Sequence, residues 1–175
     1  MKKAAVAGLG LLAVAGLAVL AIAQGGARGT SSISLHGKTV SVEYGRPSLN
    51  GRTTDELLGR LQPGELWRLG SNTSTTFKTD TDLAFGDVTI PAGTYSIWMQ
   101  RQSDNSWKLL FDKKHGQWGS PAPPASEAFA SAPLTQSTAS GPVETLTLTL
   151  HKKGNGGDLV IQWGTLEVTA NFTAK

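Results

Sequence analysis

The chain has no cysteine among its 175 residues. That absence excludes disulfide staples, thiol nucleophiles, iron–sulfur clusters and cysteine-based zinc sites, and leaves stability to the core. Histidine is scarce. His36, His115 and His151 stand far apart, with no H-E-x-x-H and no His-x-His pair, so no metal site and no cofactor is expected. There is no G-x-S-x-G elbow, and Ser48, Ser71 and Ser74 have no histidine or other base beside them in sequence to activate them. A charge excess is missing as well. The formal net charge is +3, but Lys2 and Lys3 contribute to it; without them 14 basic residues face 13 acidic ones. No basic footprint remains, and no nucleic-acid partner is expected. No internal repeat of fixed period stands out.

What is present begins with a targeting pattern. Met1-Lys2-Lys3 precedes an unbroken apolar run from Ala4 to Ala23 that ends small-x-small at Ala21-Ile22-Ala23. A positive start, an apolar core and a small-residue end read as a secretory signal cleaved between Ala23 and Gln24. The expected location is periplasmic or secreted. The alternative is an uncleaved anchor, since about 20 apolar residues can just span a bilayer; that would be the chain's one membrane association. Without a cysteine after the run there is no lipoprotein anchor. Residues 24–31 read as a flexible lead-in and 32–175 as a single domain. A chain of this size buries about 68–70% of its unfolded surface, enough for a self-sufficient core.

Period-2 alternation dominates the rest. Ile33 and Leu35, then Val40, Val42 and Tyr44, flank His36-Gly37-Lys38 as a hairpin. Pro47 stops that ladder. Thr53 and Glu56 fit a capping box for one short helix over 54–60. Strands follow over 65–69, 73–79, 82–90, 94–99 and 107–111. Residues 119–142, with five of the eight prolines, read as a long surface loop carrying one weak edge strand near 128–135. Leu146, Leu148 and Leu150 alternate with threonines, Gly154-Asn155-Gly156-Gly157 turns, and strands over 159–163 and 166–172 close the chain. Short strands with turns every 8–12 residues predict an all-β, antiparallel β-sandwich of jelly-roll-like form, with one short helix.

Chemistry concentrates at residues 44–76. Arg46, Arg52, Arg60 and Arg68 lie here among Pro47, Gly51, Pro63, Gly64 and Gly70, with Trp67 between them. Arginine keeps its charge and offers a planar fork of donors suited to carboxylate or phosphate. Arg46, Arg52 and Arg68 converging with Asn72 would form an anion pocket. The structural alternative ties these arginines to Glu43, Glu65 or Glu144. Trp67 belongs to the core or to a ligand platform; Trp98, Trp107 and Trp163 sit in hydrophobic strands and are core. Trp118, at a strand exit between Gln117 and Gly119, is the tryptophan open to a sugar face. Glu43 or Glu144 would be a general base only if burial raised its pKa.

Tyr44-Gly45-Arg46-Pro47, Gly51-Arg52-Thr53 and Trp67-Arg68-Leu69-Gly70-Ser71-Asn72 resemble domain of unknown function 2911, a family of exported bacterial proteins. The likeness continues through Ile90 to Ser96, Gln117-Trp118-Gly119 and Leu159 to Gly164, spanning about residues 32–172. Two departures stand out: Gly45 replaces a serine, and Ser71-Asn72-Thr73-Ser74-Thr75 replaces an A-N-E-A-T-like run and so lacks its acidic residue. The resemblance implies a fold and a site region, and no activity. The functional expectation is non-catalytic binding of a small anionic or carbohydrate ligand at residues 44–76, through Arg46, Arg52, Trp67, Arg68, Asn72 and Trp118. The alternatives are a structural envelope domain without a ligand site and a hydrolase acting on a sugar or ester.

Overall fold

The alternating side chains of the N-terminal third pair as expected in the computed structural model, which describes residues 27–175. The expected signal segment at 1–23, its expected cleavage point and the first residues of the lead-in lie outside the described residues. β1 (Arg28–Leu35) and β2 (Lys38–Gly45) form an antiparallel hairpin in which Ile33 faces Val40. His36 and Gly37 take φ of 49° and 78° at its turn, the left-handed geometry that matches strand twist.

The helix α1 (Thr54–Leu58) starts where its cap predicts. Thr53 N–H donates to Glu56 Oε2 at 2.6 Å and Glu56 N–H donates to Thr53 Oγ1 at 3.2 Å, a reciprocal capping box. Then come β3 (Leu66–Trp67), β4 (Thr76–Thr79), β5 (Leu83–Phe85), β6 (Val88–Ile90), β7 (Gly93–Arg101) and β8 (Trp107–Asp112). The last strands are β9 (Ala130–Pro133), β10 (Thr135–Lys153) and β11 (Gly156–Ala174).

They make two antiparallel sheets, one ordered β1-β2-β4-β7-β8-β9 and the other β10-β11-β5-β6. β3 pairs with β7 at Met99 and Gln100, on the edge whose other end, Gly93 to Ser96, pairs with β4. The chain changes sheet after β4, β6 and β9. Side chains of the facing surfaces fill the space between with aromatic rings at both ends. Phe85 lies 5.2 Å from both Phe111 and Phe172, joining the sheets at one end. At the other, Trp67 stacks on Trp163 at 5.5 Å and 9°, with Trp107 at 6.4 Å. Offset and tilted ring pairs of this kind contribute about 0.5–1.5 kcal/mol each beyond their burial.

Six expectations are corrected. β1 begins at Arg28, so residues 28–31 of the supposed lead-in are strand: Arg28 pairs in register with Gly45 and its Nε donates to Glu43 Oε1 at 2.6 Å. The helix ends at Leu58, where Gly59 and Gln62-Pro63-Gly64 offer nothing to continue it. The strand over 65–69 shrinks to Leu66–Trp67, because Leu69 turns left-handed with φ 51°. The strand over 82–90 is two strands, broken by Gly86 at φ 59°. Residues 135–142, read as loop, belong to β10, and 159–172 is one strand; register shifts between Thr138, Val143 and Thr147 let the long hairpin bend without breaking. β9 occupies the edge position expected near 128–135.

The Pro- and Ala-rich segment before β9 has a packing role. Trp98 and Leu110 are buried on the face of β7 and β8 turned away from the core. Ala125 and Ala128 border Leu110, and Gln117 Oε1 accepts from Ser96 Oγ at 3.3 Å. The segment therefore covers a second, smaller apolar surface.

Gly45 is fixed by a backbone crossing. A Cβ there would stand 2.6 Å from Ser71 Oγ and closer still to Ser71 O. The glycine at this position thus matches the serine at 71, since no side chain fits between the two segments. Gly45→Ser is expected to lower stability by about 2–3 kcal/mol, the range for overpacking a tight interior, and urea unfolding midpoints of the variant and wild type check it.

Candidate functional site

The turn after β3 is what presents Arg68. Leu69 and Asn72 take φ of 51° and 63°, a conformation that costs a leucine about 1–2 kcal/mol and that asparagine adopts readily. Burial of Leu69 and a 2.6 Å hydrogen bond from Thr75 Oγ1 to Leu69 O hold it. Arg68 Nε donates to Gly70 O at 3.2 Å, which closes the turn on itself. On the other side Gly119 N–H donates to Asn72 O at 2.8 Å and Thr73 bridges to Trp118. Gly119 lies so close that a Cβ would meet Arg68 Cδ at 2.9 Å.

Arg68, Asn72 and Trp118 are therefore neighbours, and the buried Trp67, stacked on Trp163, precedes Arg68 in the chain. Trp118 is 61% exposed, which the sequence left open. Arg46 and Arg52 are elsewhere. Arg46 Nε donates to Leu146 O on β10 at 3.5 Å, with its stem over Gly29; Arg52 Nε donates to Leu49 O at 2.9 Å. Arg46 ties its loop to β10 and Arg52 closes its own turn, and neither borders the hollow at Arg68.

That hollow has a volume of about 240 Å³ and is walled by Leu57, Leu58, Leu61, Leu66, Trp67 and Arg68, with Gly119, Ser120 and Ala122 across from them. A second hollow of about 340 Å³ shares Leu61, Leu66 and Ala122 and continues to Pro123, Pro124 and Glu65. The leucines were missed by sequence reasoning. Their spacing at 57, 58 and 61 is a helical apolar stripe, and that stripe is the signal that would have found them.

The carboxylates suspected of pairing with the arginines are engaged otherwise. Glu43 binds Arg28, Glu144 Oε1 accepts from Asn50 N–H at 2.8 Å, and Glu65 Oε2 accepts from Gln62 N–H at 2.7 Å. Among the described residues Arg46, Arg52, Arg60 and Arg68 form no ion pair. The one buried carboxylate among the described residues, Asp158, lies near the β10–β11 turn with Lys153 Nζ at 2.5 Å and His151 Nδ1 at 3.3 Å. It is on β11 six positions before Gly164, the residue that packs against Thr54 of α1. No group of three or more potential metal ligands occurs among the described residues.

A family described as "Protein of unknown function (DUF2911)" matches residues 27–172. The chain belongs to this family. No curated protein and no solved structure matches it. Both family departures named above fall inside this region: Gly45 and Ser71 are the two sides of the backbone crossing, and Thr73 bridges to Trp118. Of the six sequence-predicted residues, the DUF2911 domain here places Trp67 and Arg68 on the wall of one hollow, with Asn72 and Trp118 joined to its rim through Gly119 and Thr73.

The wall formed by α1 is sensitive to acid. The Thr53 N–H, then the Thr53 hydroxyl, hold the Glu56 pKa below its ordinary 4.5, with Arg60 and Arg52 adding to the effect. Glu56 is more acidic folded than unfolded, so its contribution is present above pH 4.5 and is lost as pH falls through the depressed folded value. In Glu56→Gln the fall of stability below pH 4.5 is expected to be shallower than in wild type, as measured by urea unfolding across that range.

Proposed function

We propose that this is an exported binding domain that holds a small anionic or glycan ligand at Arg68 and does no chemistry on it. The observation that carries the reading is Arg68 itself: a cation without a carboxylate partner among the described residues, on the wall of an open hollow. Arg46, Arg52 and Arg60 also lack an ion pair, but none of them borders this hollow. The presentation of Arg68 on a left-handed turn adds support, since strained backbone gathers at ligand sites. Trp118 offers an exposed ring beside it. The apolar run at Ala4 to Ala23 supports export.

A hydrolase would need a general base beside the cation, and no carboxylate borders this hollow. A structural role fits Arg46 and Arg52, whose Nε atoms tie loops to Leu146 O and Leu49 O. The ligand reading therefore rests on Arg68, Trp67, Asn72 and Trp118.

Arg68→Ala is expected to change stability by less than about 0.5 kcal/mol, as at ordinary surface sites, and to abolish ligand binding. Arg68→Lys keeps the charge and loses the planar fork, so it should bind more weakly than wild type and more strongly than Arg68→Ala. Thermal melts of the three proteins against a panel of small anions and oligosaccharides test this. A ligand at 100 times its Kd raises the wild-type midpoint by roughly 5–10 °C. If Arg68→Ala costs about 3–5 kcal/mol, as for a broken buried ion pair, and no panel member stabilises the wild type, the reading is wrong.

A further inference from the structure

The composition of the hollow narrows the ligand further than "anion or glycan". Besides Arg68, only Ser120 and the Trp67 indole bring hydrogen-bonding side-chain groups to its wall; the rest is Leu57, Leu58, Leu61 and Leu66 with glycine and alanine. Leu57, Leu61 and Leu66 are each only half-buried, so apolar surface is left facing the hollow. A sugar carries a hydroxyl on nearly every carbon, and each hydroxyl buried here without a partner weakens binding. A compact inorganic anion would satisfy Arg68 and leave the leucines wet. A ligand with one anionic head and an apolar body satisfies both.

The second hollow gives that body a direction. It shares Leu61, Leu66 and Ala122 with the first and runs on over Pro123 and Pro124, away from Arg68. Glu65 stands at this farther hollow and not at the nearer one. The groove therefore has its cation at one end and an acid along the other, which favours a single negative charge at the Arg68 end. Proline walls add apolar surface and little rotamer freedom to lose.

We propose that the groove binds a monocarboxylate with an unbranched apolar chain, its carboxylate on Arg68 and its chain lying along Leu61, Leu66 and the Pro123–Pro124 wall. This rests on the reading that Arg68 receives the ligand's anion, and it removes glycans and compact anions from that reading. Arg68 supplies orientation and the groove supplies most of the affinity, because each buried methylene strengthens binding about fourfold.

The test titrates the full chain with acetate, butyrate, octanoate and decanoate, and with decanol, cellobiose and inorganic phosphate as comparators. Calorimetry gives Kd, and NMR follows the Trp67 indole N–H. The expected result is a Kd that falls about three- to fourfold per methylene from butyrate to octanoate. Arg68→Gln should weaken octanoate about tenfold or more and leave decanol unchanged. Leu61→Asn should weaken octanoate and leave acetate unchanged; Leu66→Ala does the same if Leu61→Asn does not fold. Phosphate or cellobiose binding through Arg68 without any chain-length dependence overturns this inference and leaves the broader binding reading standing. Chain-length dependence that persists undiminished in Arg68→Gln places the alkyl site elsewhere and overturns it too. If no probe binds through Arg68, both fall.

Discussion

The face-to-face stack of Trp67 on Trp163, 5.5 Å apart and within 9° of parallel, is the contact on which the rest of this end of the molecule depends. Trp67 belongs to a strand of two residues, too short to hold itself in the sheet by backbone pairing alone. Its ring reaches across to Trp163 on β11 of the opposite sheet and anchors β3 there. Leu58 of α1 and Leu66 of β3 flank the same ring in one hollow, so the helix has an apolar floor to sit on. A helix of five residues cannot persist by hydrogen bonding alone; its capping box and this floor together keep it. The stack thus sets the height and tilt of the wall from which Arg68 emerges.

Around that floor the backbone has little freedom. Gly45 and Ser71 cross with no room for a Cβ, Leu69 and Asn72 hold left-handed conformations, and Gly119 closes over the stem of Arg68. These are separate constraints from segments distant in sequence, and they converge on one turn. Such over-determination is what strained backbone requires in order to persist. Its effect is to fix the position of one guanidinium with few side-chain partners, leaving its charge available. Arg46 and Arg52 likewise donate to backbone carbonyls, of Leu146 on β10 and of Leu49, but stand away from the hollow that Arg68 borders.

Much of the fold is legible in the sequence because the relevant signals are local. The His36-Gly37 turn, the Thr53–Glu56 capping box and the alternating leucines at 146, 148 and 150 each contain their own instruction. The misreadings occur where a neighbour decides. Arg28 to Ser31 look like a linker, and become strand because β2 offers a partner and Glu43 a counter-ion. Thr135 to Ser140 look like loop by composition, and become strand because residues 166–169 lie beside them. The site shows the same division. Trp67, Arg68, Asn72 and Trp118 stand out by residue type, whereas Leu57, Leu61, Leu66 and the proline wall look like ordinary structure until they face one another.

The sequence by itself determined the class of the molecule: antiparallel strands from period-2 alternation, one capped helix, no thiol or clustered-histidine chemistry, and a concentration of arginine and turn residues at 44–76. Tertiary structure decided that Arg46, Arg52, Arg60 and Arg68 form no ion pair among the described residues, and that Arg68 is the one of these four on the wall of the hollow. Pairing depends on distances between Glu43, Glu65, Glu144 and four arginines, and those distances are set by strand register and by rings packed between two sheets, far apart in sequence. Charge is a property of a residue, but an unsatisfied charge is a property of its surroundings.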